Sequence, residues 1–232
     1  MTILIIHSSP RSNGCSSTIA RNIAKKFEGA SLLEINLHKE NLPDCAGCLN
    51  CVKKSIEACP HSKQTLLMRD KMLKADLIIV ATPVYILHMS GQLKTFIDHF
   101  PSIFLMHRPE KAMFSKQLII VTTAAGPVCK ETLKEISGIF TQFGISRIYK
   151  LGFAVASPTY NSIKKEKLLK IEKQSNKVIK KVKRNIFKPK VSLKIRFNFF
   201  IYKMVQKKFP ASEADGKHWQ QNNWFKTGRP WK

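Results

Sequence analysis

Residues 3–18 read Ile3-Leu4-Ile5-Ile6-His7-Ser8-Ser9-Pro10-Arg11-Ser12-Asn13-Gly14-Cys15-Ser16-Ser17-Thr18. The apolar run at the start of this stretch predicts a short buried strand, and a polar loop follows it. After the loop, apolar residues recur at helical spacing, at Ile19, Ala20, Ile23, Ala24 and Phe27. A strand followed by a tight loop and a helix is the first half of a βαβ unit, so this stretch predicts a parallel sheet.

The same alternation continues along the chain to about residue 156. Further strands are predicted over residues 32–37, 76–81, 117–123 and 147–156. Further helices are predicted over residues 66–73, 90–100 and 130–143, and segment 41–60 is expected to be a Cys-rich loop. Five strands that alternate with helices favour an α/β fold of the flavodoxin-like, doubly wound kind. Its five-stranded parallel sheet has the order 2-1-3-4-5.

Beyond the last strand the chain becomes strongly basic. Residues 150–208 carry 18 Lys or Arg against two acids, a large part of the formal net charge of +25. Helices are predicted over 161–185 and 193–209, and residues 210–232, with all three tryptophans, are expected to lie as an ordered strap. We expect one α/β domain over residues 1–185. Residues 186–232 would then be a basic helical C-terminal extension that is not an independent domain.

The bulk properties narrow the cellular setting and the class of partner. The sequence has no run of eighteen apolar residues and no basic leader with a cleavage site, so neither a transmembrane helix nor a signal peptide is expected. A cytoplasmic location follows as an expectation, and thiols are kept reduced there. The positive charge favours anionic partners, namely nucleic acid, anionic lipid or a phosphorylated cofactor.

The loop after the first strand has the chemistry of an anion site. Hydroxyl donors are available from Ser9, Ser12, Ser16, Ser17 and Thr18. Arg11 can bind phosphate oxygens in a fork, Gly14 permits a tight turn, and the following helix start presents free N–H groups. The loop matches neither the Walker pattern nor the Gly-x-Gly-x-x-Gly fingerprint. By its chemistry alone, a plain serine-rich turn with no ligand stays open as the alternative.

Two stretches resemble the signatures of NAD(P)H-dependent FMN reductases of the flavodoxin-like superfamily. The first is Ser8-Ser9-Pro10-Arg11-Ser12-Asn13-Gly14, and the second is Thr82-Pro83-Val84-Tyr85-Ile86-Leu87-His88-Met89-Ser90-Gly91-Gln92-Leu93-Lys94-Thr95-Phe96-Ile97-Asp98. The resemblance covers roughly residues 1–156. It implies an FMN-dependent oxidoreductase, with NAD(P)H as co-substrate and a homodimer or homotetramer as the assembly. No catalytic side chain is implied, because the flavin carries the chemistry.

The resemblance also implies which residues would bind FMN. The phosphate would lie against Ser9, Arg11, Asn13, Cys15, Ser16, Ser17 and Thr18. The ribityl chain and ring would run along Pro83, Val84, Tyr85 and Ile86, and Thr123, Ala124 and Gly126 would close the other side of the ring. The chain departs from the family in two places: Cys15 stands where Asn is frequent, and Ala124-Ala125 replaces a more glycine-rich turn.

Four of the six cysteines form a compact pattern, Cys45-x2-Cys48-x2-Cys51-x7-Cys59. Four thiolates at such spacing can hold a [4Fe-4S] cluster, and the pattern resembles that of the iron-sulfur flavoproteins of the same superfamily. Zinc, or no metal at all, stays open as an alternative. A reactive-thiol role for Cys48 or Cys51 beside two lysines is also open. Cys15 and Cys129 are expected to be ordinary buried residues.

Two other functions compete with the reductase. One is a ferredoxin-linked electron-transfer flavoprotein without NAD(P)H turnover, and the other is a basic protein that binds nucleic acid or a membrane surface. Segment 193–209, with Phe197, Phe199, Phe200 and Tyr202 among Lys and Arg, would suit a membrane interface. We favour a solvated lysine face whose apolar stripe packs on the core or on a partner subunit, because no groove-reading motif accompanies the charge. The electron acceptor is not defined by the sequence.

Overall fold

A mainly parallel sheet forms the centre of the molecule, for which the computed structural model describes residues 1–231. Its strands are β1 (Thr2–His7), β2 (Ser31–Asn36), β3 (Leu77–Tyr85), β4 (His88–Met89), β5 (Gln117–Ala124) and β6 (Arg147–Ala154). The order is β2-β1-β3-β5-β6 with all neighbours parallel, and the short β4 pairs antiparallel with the end of β3. The predicted doubly wound order is therefore confirmed, with β4 as an additional strand.

Eight α-helices accompany the sheet within residues 1–231. They are α1 (Cys15–Ala24), α2 (Asn50–Lys53), α3 (Ser62–Lys74), α4 (Gly91–Asp98), α5 (Cys129–Gln142), α6 (Lys165–Asn185), α7 (Leu193–Lys208) and α8 (Glu213–Gln221). Helices α1 and α6 share one apolar cluster with Ile3 and Ile5, whereas α3, α4 and α5 share the other with Leu4 and Ile6. Alternate residues of β1 thus enter different layers, which explains why the strand is apolar without interruption from Ile3 to Ile6.

The structure differs from the sequence prediction at several boundaries. Strand β3 continues through Pro83 to Tyr85. Pro83 is tolerated because the pairing of β3 with β1 ends at Ala81, so that Pro83 has a parallel partner only on the β5 side. The segment expected to be a Cys-rich loop contains α2 and the 3-10 helix Ile56–Ala58. The expected strap contains α8, a short helix whose pattern is too brief to stand out in the sequence.

The C-terminal extension packs through aromatic rings. Phe199 of α7 stacks on Trp219 of α8 with ring centroids 4.8 Å apart, and Trp224 meets Phe199 edge-on at 5.7 Å. The indole N–H of Trp219 donates to the carbonyl of His107 at 2.6 Å, which ties α8 to the main part of the chain. No helix within residues 1–231 has both the length and the apolar character needed to cross a membrane. The division at residue 185 stays a prediction.

A buried ion pair links the extension to the Cys-rich segment. Asp215 of α8 is fully buried and accepts hydrogen bonds from Arg108 and from His107 Nδ1, the latter at 2.7 Å. The same guanidinium donates to the carbonyls of Cys51 and Val52, where α2 ends. Arg108 therefore satisfies helix-end carbonyls on one side and a buried carboxylate on the other.

We expect Asp215→Ala to lower the free energy of unfolding by about 3 kcal/mol, because it leaves the Arg108 guanidinium without its buried partner. Urea unfolding followed by tryptophan fluorescence measures this loss. Glu213→Ala is the matched control, since Glu213 is exposed and its one ion pair within residues 1–231 is with Lys217 at 2.6 Å. The control should change stability little, and an equal loss in both variants would contradict the role given to Asp215.

Candidate functional site

The first turn of α1 presents backbone donors that the chain itself leaves unused. The N-terminal cap is Gly14, which offers no side-chain hydrogen bond, and the first turn has no acidic residue. The N–H groups of Cys15, Ser16 and Ser17 have no hydrogen-bond partner within residues 1–231. The Ser17 hydroxyl is also buried without a partner. Free N–H groups and a positive dipole end are what an anion requires.

The loop before α1 is held in a tight shape around Gly14. The N–H of Gly14 donates to the carbonyl of Arg11 at 3.0 Å, and the N–H of Arg11 donates to Ser9 Oγ at 3.2 Å. A Cβ at position 14 would lie 3.1 Å from the carbonyl oxygen of Arg11 and 3.2 Å from Ser9 Oγ. Arg21 supports the loop from below, donating to the Ser12 carbonyl at 2.9 Å and to Glu34 at 3.0 Å. The Arg11 side chain itself is exposed and free to reach a ligand.

A small hydrogen-bond network joins this loop to the end of β3. The hydroxyl of Ser90, the cap of α4, donates to the carbonyl of Ser8 at 3.3 Å. The N–H of Ser90 donates to Thr82 Oγ1 at 3.3 Å. All three residues are buried, so the spacing between the first loop and the β3 loop is fixed by the core.

The β3–β4 hairpin has a strained turn. Tyr85 pairs with His88, and the two residues between them, Ile86 and Leu87, have φ angles of 45° and 67°. A two-residue hairpin with both central φ angles positive normally contains Asn-Gly. Ile86 is 91% exposed, while the Leu87 carbonyl accepts a hydrogen bond from Thr132 Oγ1 of α5 at 3.1 Å. The turn is thus held in place by α5 despite unfavourable residues.

These loops enclose a cleft of about 320 Å³ at the carboxyl ends of the strands. Nine of the fourteen predicted FMN contacts line it: Ser9, Arg11, Cys15, Ser16, Pro83, Val84, Tyr85, Thr123 and Ala124. The predicted residues Asn13, Ser17, Thr18, Ile86 and Gly126 do not. The cleft is also lined by Gly14, Ala125, Val155, Ser157 and Pro158.

The segment after β6 is the part of the cleft wall that sequence reasoning missed. The thiol of Cys15, which is buried, donates to the carbonyl of Ser157 at 3.4 Å, and burial raises the pKa of this thiol. The N–H of Val155 donates to the carbonyl of Ala124 at 2.9 Å. The rule that ligands bind beyond the carboxyl ends of parallel strands, applied to the last strand as well, would have pointed to these residues.

The residues of the cleft fit FMN. Free N–H groups at the start of α1, with Arg11 beside them, suit a phosphate dianion, and no carboxylate lines the cleft. The walls from β3 and β5 offer the half-buried Pro83 and Val84 on one side and the buried Ala124 on the other, a surface suited to a flat ring.

The four clustered cysteines share a second cavity, of about 330 Å³. Cys45 and Cys48 are exposed, Cys59 is half-buried, and Cys51 at the start of α2 is buried. Burial raises the pKa of the Cys51 thiol, and negative charge on the other three would raise it further. The cavity therefore brings together the predicted metal ligands, all of them free thiols.

Two histidines that the sequence did not single out line the same cavity. His99 Nδ1 donates to the Thr95 carbonyl at 2.8 Å, because a carbonyl can only accept. His99 Nε2 then accepts from His61 Nδ1 at 3.0 Å. The atoms of Cys59, His61 and His99 that could bind a metal ion, one sulfur and two imidazole nitrogens, lie within 4.8 Å of one another. This arrangement keeps the zinc alternative open, since sulfur and imidazole are both zinc ligands.

The comparisons with known proteins agree with this architecture. A family model described as NADPH-dependent FMN reductase matches residues 1–148. An iron-sulfur flavoprotein from Archaeoglobus fulgidus is 26% identical over 151 residues, which cover 63% of this chain and 66% of that protein. An FMN-dependent NADH:quinone oxidoreductase from Paraburkholderia phymatum is 28% identical over 141 residues, covering 54% of this chain and 71% of that protein.

The fold is also that of solved proteins. The crystal structure of an azoreductase from Bacillus anthracis superposes with a TM-score of 0.60 at 16% identity, covering 78% of this chain and 99% of that one. This likeness confirms the predicted fold class. The matched part spans 66%, 54% and 52% of the length of three curated iron-sulfur flavoproteins, that is, between half and two thirds.

The strained turn gives a prediction about stability. We expect the double change Ile86→Asn and Leu87→Gly to raise the free energy of unfolding by about 1–2 kcal/mol, because both new residues tolerate positive φ. Urea unfolding of the flavin-free protein measures the gain. Ile86→Ala with Leu87→Ala removes the same exposed apolar groups without relieving the backbone. An equal gain in that control would show that strain is not the cause.

Proposed function

We propose that this protein is an FMN-dependent oxidoreductase. The chain belongs to the NADPH-dependent FMN reductase family. It would take reducing equivalents from NAD(P)H and pass them to an acceptor that the site does not define. The observation that carries this proposal is the cleft at the carboxyl ends of β1, β3 and β5, where an uncapped helix start faces walls that suit a flat ring.

The start of α1 would hold the phosphate of the cofactor. The backbone N–H groups of Cys15 and Ser16, which line the cleft, supply donors that need no reorganisation, and Arg11 adds a charge-assisted bond. Ser9 would act partly through its own contact with the Arg11 N–H, which sets the loop shape. These residues bind and orient the cofactor, and no proton transfer by a side chain is assigned to them.

The β3 and β5 loops would position the ring. Pro83, Val84 and Tyr85 lie on one side of the cleft, and Thr123 and Ala124 lie on the other. FMN, when bound, supplies the hydride and electron transfer. The buried hydrogen bonds between Ser8, Ser90 and Thr82 fix the distance between the loop that would bind the phosphate and the β3 loop that would bind the ring.

The cysteine cavity would hold a [4Fe-4S] cluster through Cys45, Cys48, Cys51 and Cys59. Support comes from the gathering of four free thiols around one cavity of about 330 Å³, since such a cluster takes one cysteine per iron. The names of several relatives point the same way. A cluster, when bound, would supply single-electron transfer.

A cytoplasmic location and a homo-oligomeric assembly belong to the same proposal.

The flavin part is tested by anaerobic reduction. Protein loaded with FMN should lose its visible flavin absorbance on addition of NADPH or NADH. Bleaching by reduced ferredoxin or dithionite alone would favour the electron-transfer flavoprotein without NAD(P)H turnover. Failure to retain FMN at all would overturn both.

The phosphate site makes a sharper prediction. We expect Arg11→Ala to weaken FMN binding about tenfold, because one charge-assisted hydrogen bond to phosphate is lost. Fluorescence quenching of free FMN by the apoprotein measures the dissociation constant. Arg184→Ala is the control, since Arg184 is an exposed arginine near the end of α6, far along the chain from this loop. Equal affinities for Arg11→Ala and the unchanged protein would contradict the phosphate assignment.

The cluster part is tested by metal analysis of protein purified without oxygen. We expect about four iron and four sulfide per chain, with loss of both on changing any one of the four cavity cysteines to serine. Cys129→Ser is the matched control, because Cys129 is buried in α5 and lies outside the cavity. Zinc in place of iron would overturn the cluster and leave the FMN proposal intact.

A further inference from the structure

Helix α7 carries apolar residues on two faces. Ile195 and Phe199 are buried, the first against residues 105–114 and the second against the tryptophans of the extension. The apolar stripe of this helix was predicted to be packed, and Ile195 and Phe199 are packed. A second stripe on the same helix points away from the protein.

This exposed stripe consists of Leu193, Phe197, Phe200 and Met204. Their exposed fractions are 82%, 65%, 55% and 44%, and their spacing of four, three and four residues places them along one face of the helix. Two more aromatic residues, Phe187 and Phe209, flank the helix and are 75% and 76% exposed. Isolated exposed apolar residues are ordinary, but an ordered row of large ones is typical of an interaction site.

A basic pocket of about 330 Å³ adjoins the stripe. Phe200 belongs to both, and the cations that line the pocket are Arg196, Lys203 and Arg229. Lys203 Nζ donates to the carbonyl of Lys226 at 2.8 Å, which holds the ammonium at the pocket. Burial lowers the pKa of Lys203, and the charges of Arg229 and Lys207 lower it further.

No acidic side chain of the described residues compensates the positive charge of this pocket. Within residues 1–231 none of the three cations forms a salt bridge. Residues 186–231 contain two acids: Glu213 pairs with Lys217, and Asp215 is buried against Arg108. Helix α7 itself has no acidic residue. Such a pocket suits an anion, and phosphate is the anion that arginine forks match best.

The two features together select one kind of partner. A second copy of this chain would cover the stripe with an identical stripe that is also flanked by cations. Because each chain has a net charge of +25, the two copies would repel each other. A nucleic acid would satisfy the cations but leave the four apolar side chains uncovered. An anionic lipid surface covers both, because aromatic and aliphatic side chains enter the acyl boundary while Lys and Arg meet the headgroups.

We propose that α7 docks this protein on an anionic phospholipid surface. The stripe of Leu193, Phe197, Phe200 and Met204 enters the interface, and the phosphate of a lipid headgroup occupies the pocket of Arg196, Lys203 and Arg229. The helix lies in the plane of the surface, since it is short and its opposite face is packed on the protein.

The experiment is sedimentation of the full chain with vesicles. Phosphatidylcholine mixed with phosphatidylglycerol is compared with phosphatidylcholine alone, and we expect binding only to the anionic vesicles. Phe197→Ser with Phe200→Ser should lower the partition coefficient about tenfold or more. Leu67→Ser with Leu169→Ser is the control, because these residues are 61% and 59% exposed on α3 and α6, outside the stripe.

The charge arm uses Arg196→Gln with Arg229→Gln, against Lys177→Gln with Lys180→Gln on the exposed face of α6. At roughly fivefold per cation, the first pair should weaken binding about 25-fold, and the second pair should weaken it less. Retention of FMN and unchanged circular dichroism show that each variant is folded.

Four outcomes would overturn the proposal. One is equal binding to neutral and anionic vesicles, and another is binding that the stripe variant leaves unchanged. The third is tighter binding to duplex DNA or a stripe-dependent dimer, either of which would assign the surface to a different partner. Saturation of the pocket by inorganic phosphate without vesicle binding would reduce it to a free-anion site and also overturn the membrane role.

Discussion

The three unpaired N–H groups at the start of α1 are the constraint around which this molecule is arranged. A parallel strand followed by a helix brings such groups to the carboxyl edge of the sheet, and this chain places neither a capping side chain nor an acid there. The loop around them is ordered by an exposed hydrogen bond from Arg21 to the Ser12 carbonyl and by the buried hydrogen bond from Ser90 to the Ser8 carbonyl. The cleft is thus a consequence of topology first and of particular side chains second.

Much of the fold could be predicted because its three central strands, β1, β3 and β5, are buried on both faces over most of their length. Uninterrupted apolar runs such as that of β1, separated by helical patterns, leave few other arrangements possible, and the sheet order followed. The predictions that missed fall where local pattern is weak. The third strand was predicted to end at residue 81 and continues to Tyr85, α2 is only four residues long, and β4 has two residues. Each exists because neighbouring parts of the fold supply its partners.

The site was predictable to a similar degree and for a related reason. Residues at the carboxyl ends of strands or in the loops that follow, such as Val84, Thr123 and Arg11, are placed by the sheet and could be anticipated. Ser157 was not, since its loop has no recognisable signature, and neither was His99, which reaches the cysteine cavity from the end of α4. The sequence also did not show that α7 has one packed and one exposed apolar stripe. A sequence pattern gives the apolar positions of a helix but not which of them are covered by the rest of the protein.

Arg108 joins parts of the molecule that would otherwise be energetically separate. Its guanidinium bonds to the carbonyls of Cys51 and Val52 and to the carboxylate of Asp215, so the segment that offers thiols and the helix that stacks on α7 share one cation. Thermodynamic linkage follows from this sharing. A ligand that binds in the cysteine cavity and stabilises α2 also stabilises the C-terminal helices. By the same linkage, stabilisation of the C-terminal helices increases the affinity of the cysteine cavity for that ligand.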